Sequence, residues 1–479
     1  MKLYKFYISL LFGATLLLIA SLSSCKKPVF YSEGNLDFSA DTVVFDTIFT
    51  TIGSTTKQLK IFNNDNRTLT VSKIELAGGT NSPYRINVDG ISGTLFSELE
   101  LEGGDSLFVF VEVTLDQNNG TLPLVVEDEI TFTTNGTDQS VKLLASGQDA
   151  YFHYSDFNLP NGEGLDINSG IWPNDKPHVI LNVAFIDSAT ALTIPQGTDV
   201  YLHKGGLLYN YKGVLNIEGT FSEPVTFQGD RLEPWYDDVT GQYYGIYMRE
   251  ALPSKINYAC IKNGISGIHV YGEDPANSNY TLQVSNTIIE NCASYGVFIY
   301  SGAKIQAQNC MIARNGIHSL LVLEGGDFNF NNCHLLGFGA GGNSAAAVGI
   351  SNYYIANGVQ TIGSINEGTI TNSVIYGNSN YELSIDTVSF GTPLTFNFSN
   401  NLIKSDEIFT GSFFSDNLWN LNPAFTDESI YDFTYTSNSP LFNAGSDAFP
   451  NTILEAIGID LVGSNRFMGS RDIGAYEVD

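Results

Sequence analysis

The residues best suited to bind a ligand are five aromatic side chains in the middle of the chain: Trp235, Tyr236, Tyr243, Tyr244 and Tyr247. Aromatic rings that point outward can bind the apolar face of a sugar through CH and stacking contacts, without any net charge. The same rings can instead cover the side of a β-structure or pack against a neighbouring domain. The sequence therefore predicts a ligand-binding segment here, with core packing as the open alternative.

Two adjacent carboxylates, Asp237 and Asp238, lie within this aromatic segment. Successive side chains of a strand point to opposite faces, so the pair is poorly suited to joint acid and base catalysis. A loop-bound calcium ion is the alternative, although calcium needs six or more oxygen ligands and few can be named here. We predict no catalytic residue and no metal site, and calcium is the one cofactor that stays open.

Other reactive side chains form no recognisable catalytic pattern in the sequence. The six histidines are scattered, and none of them forms a metal-binding spacing with another. The sequence contains no glycine-rich phosphate loop and no serine-centred nucleophile motif. Residue types and spacings alone therefore do not identify a reaction.

The charge balance restricts the partners. The 479 residues include 22 Lys+Arg and 51 Asp+Glu, which gives a formal net charge of −29. Binding to nucleic acid requires Lys and Arg to replace phosphate counterions, so we predict no nucleic-acid partner. Hydrophobic residues make up 43% of the chain, enough for a buried core, and the 47 glycines favour β-structure with many turns.

Residues 1–25 are predicted to be an export signal. Lys2 and Lys5 precede an apolar run that is too short to span a membrane. The next residues, Leu22-Ser23-Ser24-Cys25, resemble the lipobox of bacterial lipoproteins, in which the cysteine is acylated and becomes the mature N-terminus. The resemblance implies a lipid anchor on Cys25, a tether over residues 26–35, and membrane contact through the anchor. We expect the cell envelope, at the outer membrane; the periplasmic or surface face stays open.

Residues 36–147 are predicted to form an immunoglobulin-like β-sandwich. Apolar and polar residues alternate in short runs such as Leu107–Val111, and clusters of Asn, Gly and Asp separate these runs. The segment resembles immunoglobulin-like modules of bacterial envelope and ciliary proteins. We interpret it as a spacer, followed by a linker and cap at residues 148–178.

Residues 179–440 repeat with a period near 23. Asparagines that each precede a short apolar run mark the repeats: Asn286, Asn309, Asn332, Asn372 and Asn400. This period, without helical periodicity, predicts the stacked coils of a parallel β-helix. Asparagine tolerates the unusual backbone angles of a bend, and stacked amides can hydrogen-bond to one another.

The repeats also predict which side chains face the core. We expect two columns of inward side chains. The first includes Cys310 and Cys333, and the second lies two residues later in each repeat and consists of Ile289, Ile312, Leu335, Ile375 and Ile403. Cys260, Cys292, Cys310 and Cys333 are interpreted as core fillers at similar positions of successive repeats, with largely unpaired thiols. A second strand of each repeat is predicted to place His269, Phe298 and Leu321 in one outward column.

From about residue 179 to 479 the chain resembles the exported right-handed parallel β-helix proteins of Bacteroidota, within the pectin-lyase-like superfamily. The resemblance rests on Leu192–Thr198, Gly219–Phe227, the asparagine repeats and the ending Arg471–Glu477. It implies an all-β chain: an N-terminal immunoglobulin-like β-sandwich followed by a right-handed parallel β-helix, with a capping segment at residues 441–479.

Two hypotheses on function follow. The first is a non-catalytic envelope lipoprotein whose β-helix binds a glycan or an envelope protein, or serves structurally. The second, implied by the resemblance, is a polysaccharide lyase or glycoside hydrolase. Lys262, Glu290 and Arg314 fall near the same point of three coils, and we interpret them as an exposed ladder, not as a catalytic group. We prefer the first hypothesis because no convergent cluster of carboxylates and basic residues is evident.

Overall fold

A computed structural model describes residues 31–116, 124–153, 157–159, 162–166, 169–272, 280–339, 345–389, 391–448, 458–466 and 469–478. The chain divides into two compact units, Met1–Gln148 and Asp149–Asp479. The described residues form β-strands and three short 3₁₀ helices, Gly79–Asn81, Pro234–Tyr236 and Glu428–Ile430. Among these residues no helix has the length and apolar character needed to span a membrane. The predicted export signal and Cys25 lie outside the described residues.

The first unit is a β-sandwich of two five-stranded sheets. One sheet has the strand order Asp37–Phe38, Lys57–Phe62, Ser106–Val113, Tyr84–Val88 and Ile91–Gly93. The other has the order Thr42–Phe49, Thr137–Gln148, Leu124–Thr134, Leu69–Leu76 and Leu95–Leu101. Alternate residues such as Val109 and Val111 are fully buried between the sheets, as the period-2 pattern predicts. The sandwich is therefore confirmed, and its immunoglobulin-like character stays a prediction.

The second unit is a right-handed parallel β-helix built from three long sheets. Sheet 1 contains Tyr151–His153, His178–Ile180, Asp199–Leu202, Val225–Gly229, Ala259–Lys262, Ile288–Glu290, Met311–Ala313, His334–Gly337, Val374–Gly377, Leu402–Ile403 and Leu418–Trp419. Sheet 2 contains Phe157–Leu159, Gly162–Asp166, Val183–Ile186, Leu207–Tyr211, Gly245–Arg249, Ser266–Tyr271, Tyr295–Tyr300, His318–Leu323, Val348–Ser351 and Leu383–Asp386. Sheet 3 contains Gly170–Ile171, Ala191–Pro195, Val214–Glu218, Ser254–Asn257, Leu282–Ser285, Lys304–Gln308, Asp327–Asn331, Ile365–Thr371, Leu394–Ser399 and Phe414–Ser415.

The β-helix begins earlier than the sequence analysis placed it. Residues 148–178 were predicted to be a linker and cap, yet they supply the first strands of all three sheets. Tyr151–His153 pairs in parallel with His178–Ile180, for example, as part of sheet 1. Two antiparallel hairpins lie outside the three sheets: Tyr353–Ala356 with Val359–Ile362, and Phe425–Asp427 with Asp432–Tyr435.

The repeated asparagines occupy the corner between sheets 3 and 1. Their backbones have left-handed φ angles of 46–54°, which asparagine adopts more readily than most residues. The Asn309 side-chain amide donates to Asn286 Oδ1 at 2.7 Å, and the Asn286 amide donates to Asn257 Oδ1 at 2.8 Å. Both predicted functions of these residues, the bend and the amide ladder, are confirmed at this part of the corner.

The inward columns are confirmed. Ile289, Ile312, Leu335, Ile375 and Ile403 all belong to the buried core of the coils. Cys310 and Cys333 are also fully buried there, and all four described cysteines are free thiols. Cys260 and Cys292 do not share their column, however: Cys260 is half-buried on a sheet 1 strand, and Cys292 follows another such strand. The four cysteines are therefore not equivalent positions of one repeat.

A C-terminal segment, residues 425–448, 458–466 and 469–478, covers the outer face of sheet 1; we call it the cover segment. One buried cluster joins side chains of the coils with side chains of the cover segment: Met311, Ala313, Leu336, Phe338, Val374 and Leu402 with Phe433, Tyr435, Leu441, Ile473 and Tyr476. The predicted cap at residues 441–479 thus packs along the side of the coils.

Buried polar contacts hold the cover segment in place. Arg466 donates one hydrogen bond to Asn309 Oδ1 at 2.7 Å and another to Glu477 at 2.8 Å. The backbone N–H of Ala475 donates to His334 Nδ1 at 2.7 Å. Because each of these four side chains is at most 8% exposed, the contacts are made away from solvent. Within the ending Arg471–Glu477, these contacts involve the Glu477 carboxylate and the Ala475 backbone.

Candidate functional site

The predicted aromatic segment is mostly a loop, residues 230–244, that joins a sheet 1 strand to the sheet 2 strand Gly245–Arg249. Its Pro234–Tyr236 turn places Trp235 in solvent, where the side chain is 83% exposed. Tyr244, at the other end of the loop, is 55% exposed. Neither ring contacts another aromatic ring of the described residues, so both keep free faces for a ligand.

Tyr243 has a different environment from its neighbour. The residue is 1% exposed, its ring lies in the core of the coils, and its hydroxyl donates to the Lys262 carbonyl at 2.9 Å. Burial raises the pKa of this hydroxyl well above its ordinary value. The prediction that Tyr243 binds a ligand is therefore corrected: the ring is part of the core.

Tyr236 is at the surface, but one ring face is already in use. The Arg231 guanidinium lies 3.9 Å from the ring centroid and forms two 3.0 Å hydrogen bonds with Glu233. Such a cation–π contact orients the ring and leaves the other face available. Tyr236 therefore supports the loop more than it extends the free aromatic surface.

Tyr247 belongs to a ladder of rings along the outer face of sheet 2. In-register residues of successive coils place Phe185, Tyr209, Tyr247, His269 and Phe298 in one column. Their neighbouring ring centroids are 5.3, 5.1, 4.5 and 4.3 Å apart. Neighbouring rings cover much of each other's faces, so a ligand on this column meets mainly ring edges.

The outward column predicted from the repeats is confirmed in this ladder, since Phe298 is in register with His269 and Leu321. The sequence analysis missed that further tyrosines lie on the same face: Tyr209, Tyr211, Tyr271, Tyr295 and Tyr300. The sequence contained a signal for these tyrosines, because each takes an outward position in the second strand of a repeat. Only the register of the coils shows that they form one surface.

A shallow pocket of about 210 Å³ lies where the loop meets this face. Its lining is Leu207, Tyr244, Gly245, Ile246, Tyr247, Ile265, Ser266 and His269. Burial lowers the pKa of His269 to about 4, so its imidazole is neutral at pH 7. The pocket thus combines two of the five predicted aromatic residues with an uncharged histidine and a serine hydroxyl.

Contacts with later coils fix the position of the loop. Asn263 donates to the Asp237 carbonyl at 3.0 Å, and Arg314 forms a 2.6 Å ion pair with the Asp238 carboxylate. Arg314 also lies 3.5 Å from Glu290 and 4.1 Å from the ring centroid of Tyr431. Two members of the predicted trio, Glu290 and Arg314, therefore meet and help to hold the loop.

Carboxylates are scarce on the face that the loop borders. In the sheet 2 strands from Val183–Ile186 to Leu383–Asp386, the only carboxylate is Asp386, which accepts a 2.6 Å hydrogen bond from the Tyr353 hydroxyl. Among the described residues no group of three or more His, Cys, Asp or Glu could hold a metal ion. These strands do not supply the pair of carboxylates that glycoside hydrolysis uses.

Comparison with known proteins supports the fold. A family described as "Right handed beta helix region" matches residues 234–335. No curated protein matches the chain at a significant level.

Solved structures give only low overall similarity. The Agl-KA catalytic domain is 11% identical, with a TM-score of 0.23, over 76% of this chain and 79% of that one. The catalytic domain of a GH87 alpha-1,3-glucanase, solved with tetrasaccharides, is 10% identical, with a TM-score of 0.15, over 72% of this chain and 91% of that one. A PapD-like domain of human CEP192 is 15% identical, with a TM-score of 0.17, over 27% of this chain and 94% of that one.

Proposed function

We propose that the protein is an exported, lipid-anchored β-helix protein that binds a glycan on the outer face of sheet 2 without cleaving it. The observation that carries this proposal is the pocket lined by Tyr244, Tyr247 and His269, at the end of a loop that also exposes the ring of Trp235. A ring that is 83% exposed contributes little to folding, so its replacement tests binding separately from stability.

The chemistry of the face fits a sugar. A pyranose has one apolar CH face and a rim of hydroxyls, and a tyrosine has an apolar ring and one hydroxyl. Trp235 and Tyr244 supply free ring faces, while the tyrosines of the sheet 2 ladder supply edges and hydroxyls. Concave sites lined by aromatic residues with a few polar groups are typical of small-ligand binding.

Binding without turnover is favoured by the groups on the face. Hydrolysis of a glycoside needs two carboxyl groups on either side of the bond, and Asp386 is the only carboxylate of the sheet 2 strands named above. Both arginines near the loop are engaged: Arg231 with Glu233, and Arg314 with Asp238 and Glu290. Neither pair resembles a free base placed to remove a proton from a sugar.

A glycan array combined with assays for reducing ends and unsaturated products tests this proposal. We expect the wild-type protein to bind members of the array and to release no products. Trp235→Ala and Tyr244→Ala should each weaken binding about 30-fold, the size expected for a residue at the centre of a binding site. Ile430→Ala, at another exposed apolar residue, is the matched control and should bind normally.

Three results would contradict the proposal. Product release that scales with protein concentration would make the protein an enzyme. Full binding by both loop variants would move the site away from the loop. Unfolding of Trp235→Ala would show that the ring is needed for packing.

The location forms a separate part of the proposal. The lipobox-like sequence at Cys25 supports acylation, and acylation would attach the mature chain to a membrane of the cell envelope. Cys25→Ala should abolish labelling by a fatty-acid analogue and release the protein from the membrane fraction. A variant that keeps its label and its membrane association would refute the anchor, without bearing on glycan binding.

A further inference from the structure

The outer face of sheet 2 carries almost no charge, although the chain as a whole carries −29. Its strands from Val183–Ile186 to Leu383–Asp386 contain two charged residues, Arg249 and Asp386. Arg249 lies 3.6 Å from the Glu250 carboxylate and 5.1 Å from the Tyr271 ring centroid. The Asp386 carboxylate accepts a hydrogen bond from the Tyr353 hydroxyl. Neither charge is free to pair with a charged ligand.

The histidines on this face do not supply a positive charge at pH 7. Burial lowers the pKa of His269 to about 4, and burial also lowers the pKa of His318 below its ordinary value. The neighbouring loop adds four carboxylates, Asp230, Glu233, Asp237 and Asp238, against one cation of its own, Arg231, and the exposed Lys204 on the adjoining turn. A uronate or a sulfated sugar would therefore meet more negative than positive charge at this end of the face.

Two columns of the face run along the axis of the coils. Tyr209 is in register with Tyr247 in one column, and Tyr271 with Tyr300 in the other. Adjacent strands of a sheet are about 4.8 Å apart, so a ligand that lies along the axis meets one residue of each column at every coil. The second column, for example, consists of Tyr211, Arg249, Tyr271 and Tyr300. That interval is similar to the advance of one sugar residue in an extended glycan.

We infer that the bound glycan is an uncharged, linear chain that lies along the axis of the coils, from the Trp235 loop across the tyrosines to Tyr300. This inference rests on the proposed glycan binding and adds the class and the direction of the ligand. The excess of carboxylates disfavours an anionic sugar and so selects a neutral one, and the repeated tyrosines select a polymer over a single residue. The Tyr300 hydroxyl already hydrogen-bonds to Glu324, so it offers a sugar its remaining hydrogen-bonding capacity.

Arrays that carry matched neutral and uronic-acid oligosaccharides of two, four and six units test the inference. We expect binding to neutral members alone, with affinity that rises from two to four units, levels off once the ligand is longer than the three coils up to Tyr300, and changes little with ionic strength. Equal binding of the uronic-acid members, or affinity that does not depend on length, would overturn the inference and leave glycan binding intact. Binding to no member at all would overturn the proposed function as well.

Single hydroxyl deletions test the direction of the chain. Tyr271→Phe and Tyr300→Phe keep the rings and should each weaken binding of the six-unit glycan about five-fold, the value of one hydrogen bond. Tyr300→Phe should bind the two-unit glycan as the wild type does, since two sugars beside Tyr244 span that coil and the next, and Tyr300 lies one coil further on. Tyr31→Phe, at an exposed tyrosine of the sandwich, is the control. Unchanged binding of the six-unit glycan by both variants would contradict the axial placement.

Discussion

Two faces of the β-helix are rich in apolar side chains, and the chain treats them differently. The outer face of sheet 1 packs against the cover segment, so that Met311, Leu336 and Val374 are buried. The outer face of sheet 2 carries Tyr247, Phe298 and other rings that remain only half-buried. Large apolar surfaces that stay exposed commonly mark interaction sites. The difference is the one expected if the proposed glycan binding takes place on the uncovered face of sheet 2.

The means of covering differ as well. The cover segment combines apolar packing with buried polar contacts from Arg466 and Ala475. On sheet 2 the rings stabilise one another through stacking along the column, for example His269 on Phe298 at 4.3 Å. Self-stacked rings need no cover to stay ordered. An aromatic surface can therefore be rigid and accessible together, which favours binding because little ordering is needed when a ligand arrives.

The largest expected effect comes from truncating one ring on each face. Phe433→Ala removes a side chain that is 1% exposed, and we expect a loss of about 3–5 kcal/mol in the free energy of unfolding. Phe298→Ala, on the half-buried ladder, should cost about 1–2 kcal/mol because less area leaves water on folding. Chemical denaturation followed by circular dichroism measures both. Equal losses would mean that the ladder is a core in its own right and would break the comparison.

A smaller effect is expected at the closest approach of the cover segment. Gly474 has a φ of 108°, and a Cβ atom there would lie 2.3 Å from His334 Cε1. Gly474→Ala should therefore lower the free energy of unfolding by about 1–3 kcal/mol. Gly358→Ala, also at positive φ but with open space around it, is the matched control and should cost less. A Gly474 variant as stable as the control would show that the contact yields without strain.

A third prediction concerns the pH dependence of stability. Burial, aided by the charge of Arg466, lowers the pKa of His334 to about 3. The Nδ1 atom of His334 must be unprotonated to accept its hydrogen bond from the Ala475 backbone N–H. In the unfolded chain the pKa is about 6.5. The unfolded chain therefore binds the proton first, and the free energy of unfolding falls as pH falls from about 6.5 to 3.

Replacement of this histidine isolates its part of the pH dependence. His334→Gln should make the decline in unfolding free energy over this range less steep than in the wild type. His269→Gln, on the open face, should change the slope less because that imidazole is less buried. A steeper decline in His334→Gln would contradict the sign argued here.

Local patterns predicted the parts of the fold that repeat. The asparagine corner and the inward column around Ile289 and Ile312 follow from spacing, because each coil repeats the same constraint. The position of Tyr243 could not be predicted in this way. It lies in a loop, outside the alternation that distinguishes inward from outward residues, and its burial depends on contacts such as that with Lys262.

Long-range pairing limited the prediction of the site and of the cover segment. Ala475 meets His334 across 141 positions of the chain, and no local pattern encodes that contact. Likewise, Tyr209 and Tyr247 are adjacent only because the loop at residues 230–244 returns the chain in register. The aromatic segment was found from composition, whereas the continuous face on sheet 2 required the order of the coils.

Fluorescence of Trp235 tests most directly whether the open face binds the ligand. Trp235 is exposed, whereas Trp172 is buried and Trp419 is partly buried, so acrylamide should quench mainly Trp235. We expect a bound neutral oligosaccharide to shift the emission to shorter wavelength and to protect Trp235 from quenching, and we expect Trp235→Phe to show neither change. Saturating binding that leaves the quenching of Trp235 unchanged would contradict the account, since the ligand would then occupy another surface.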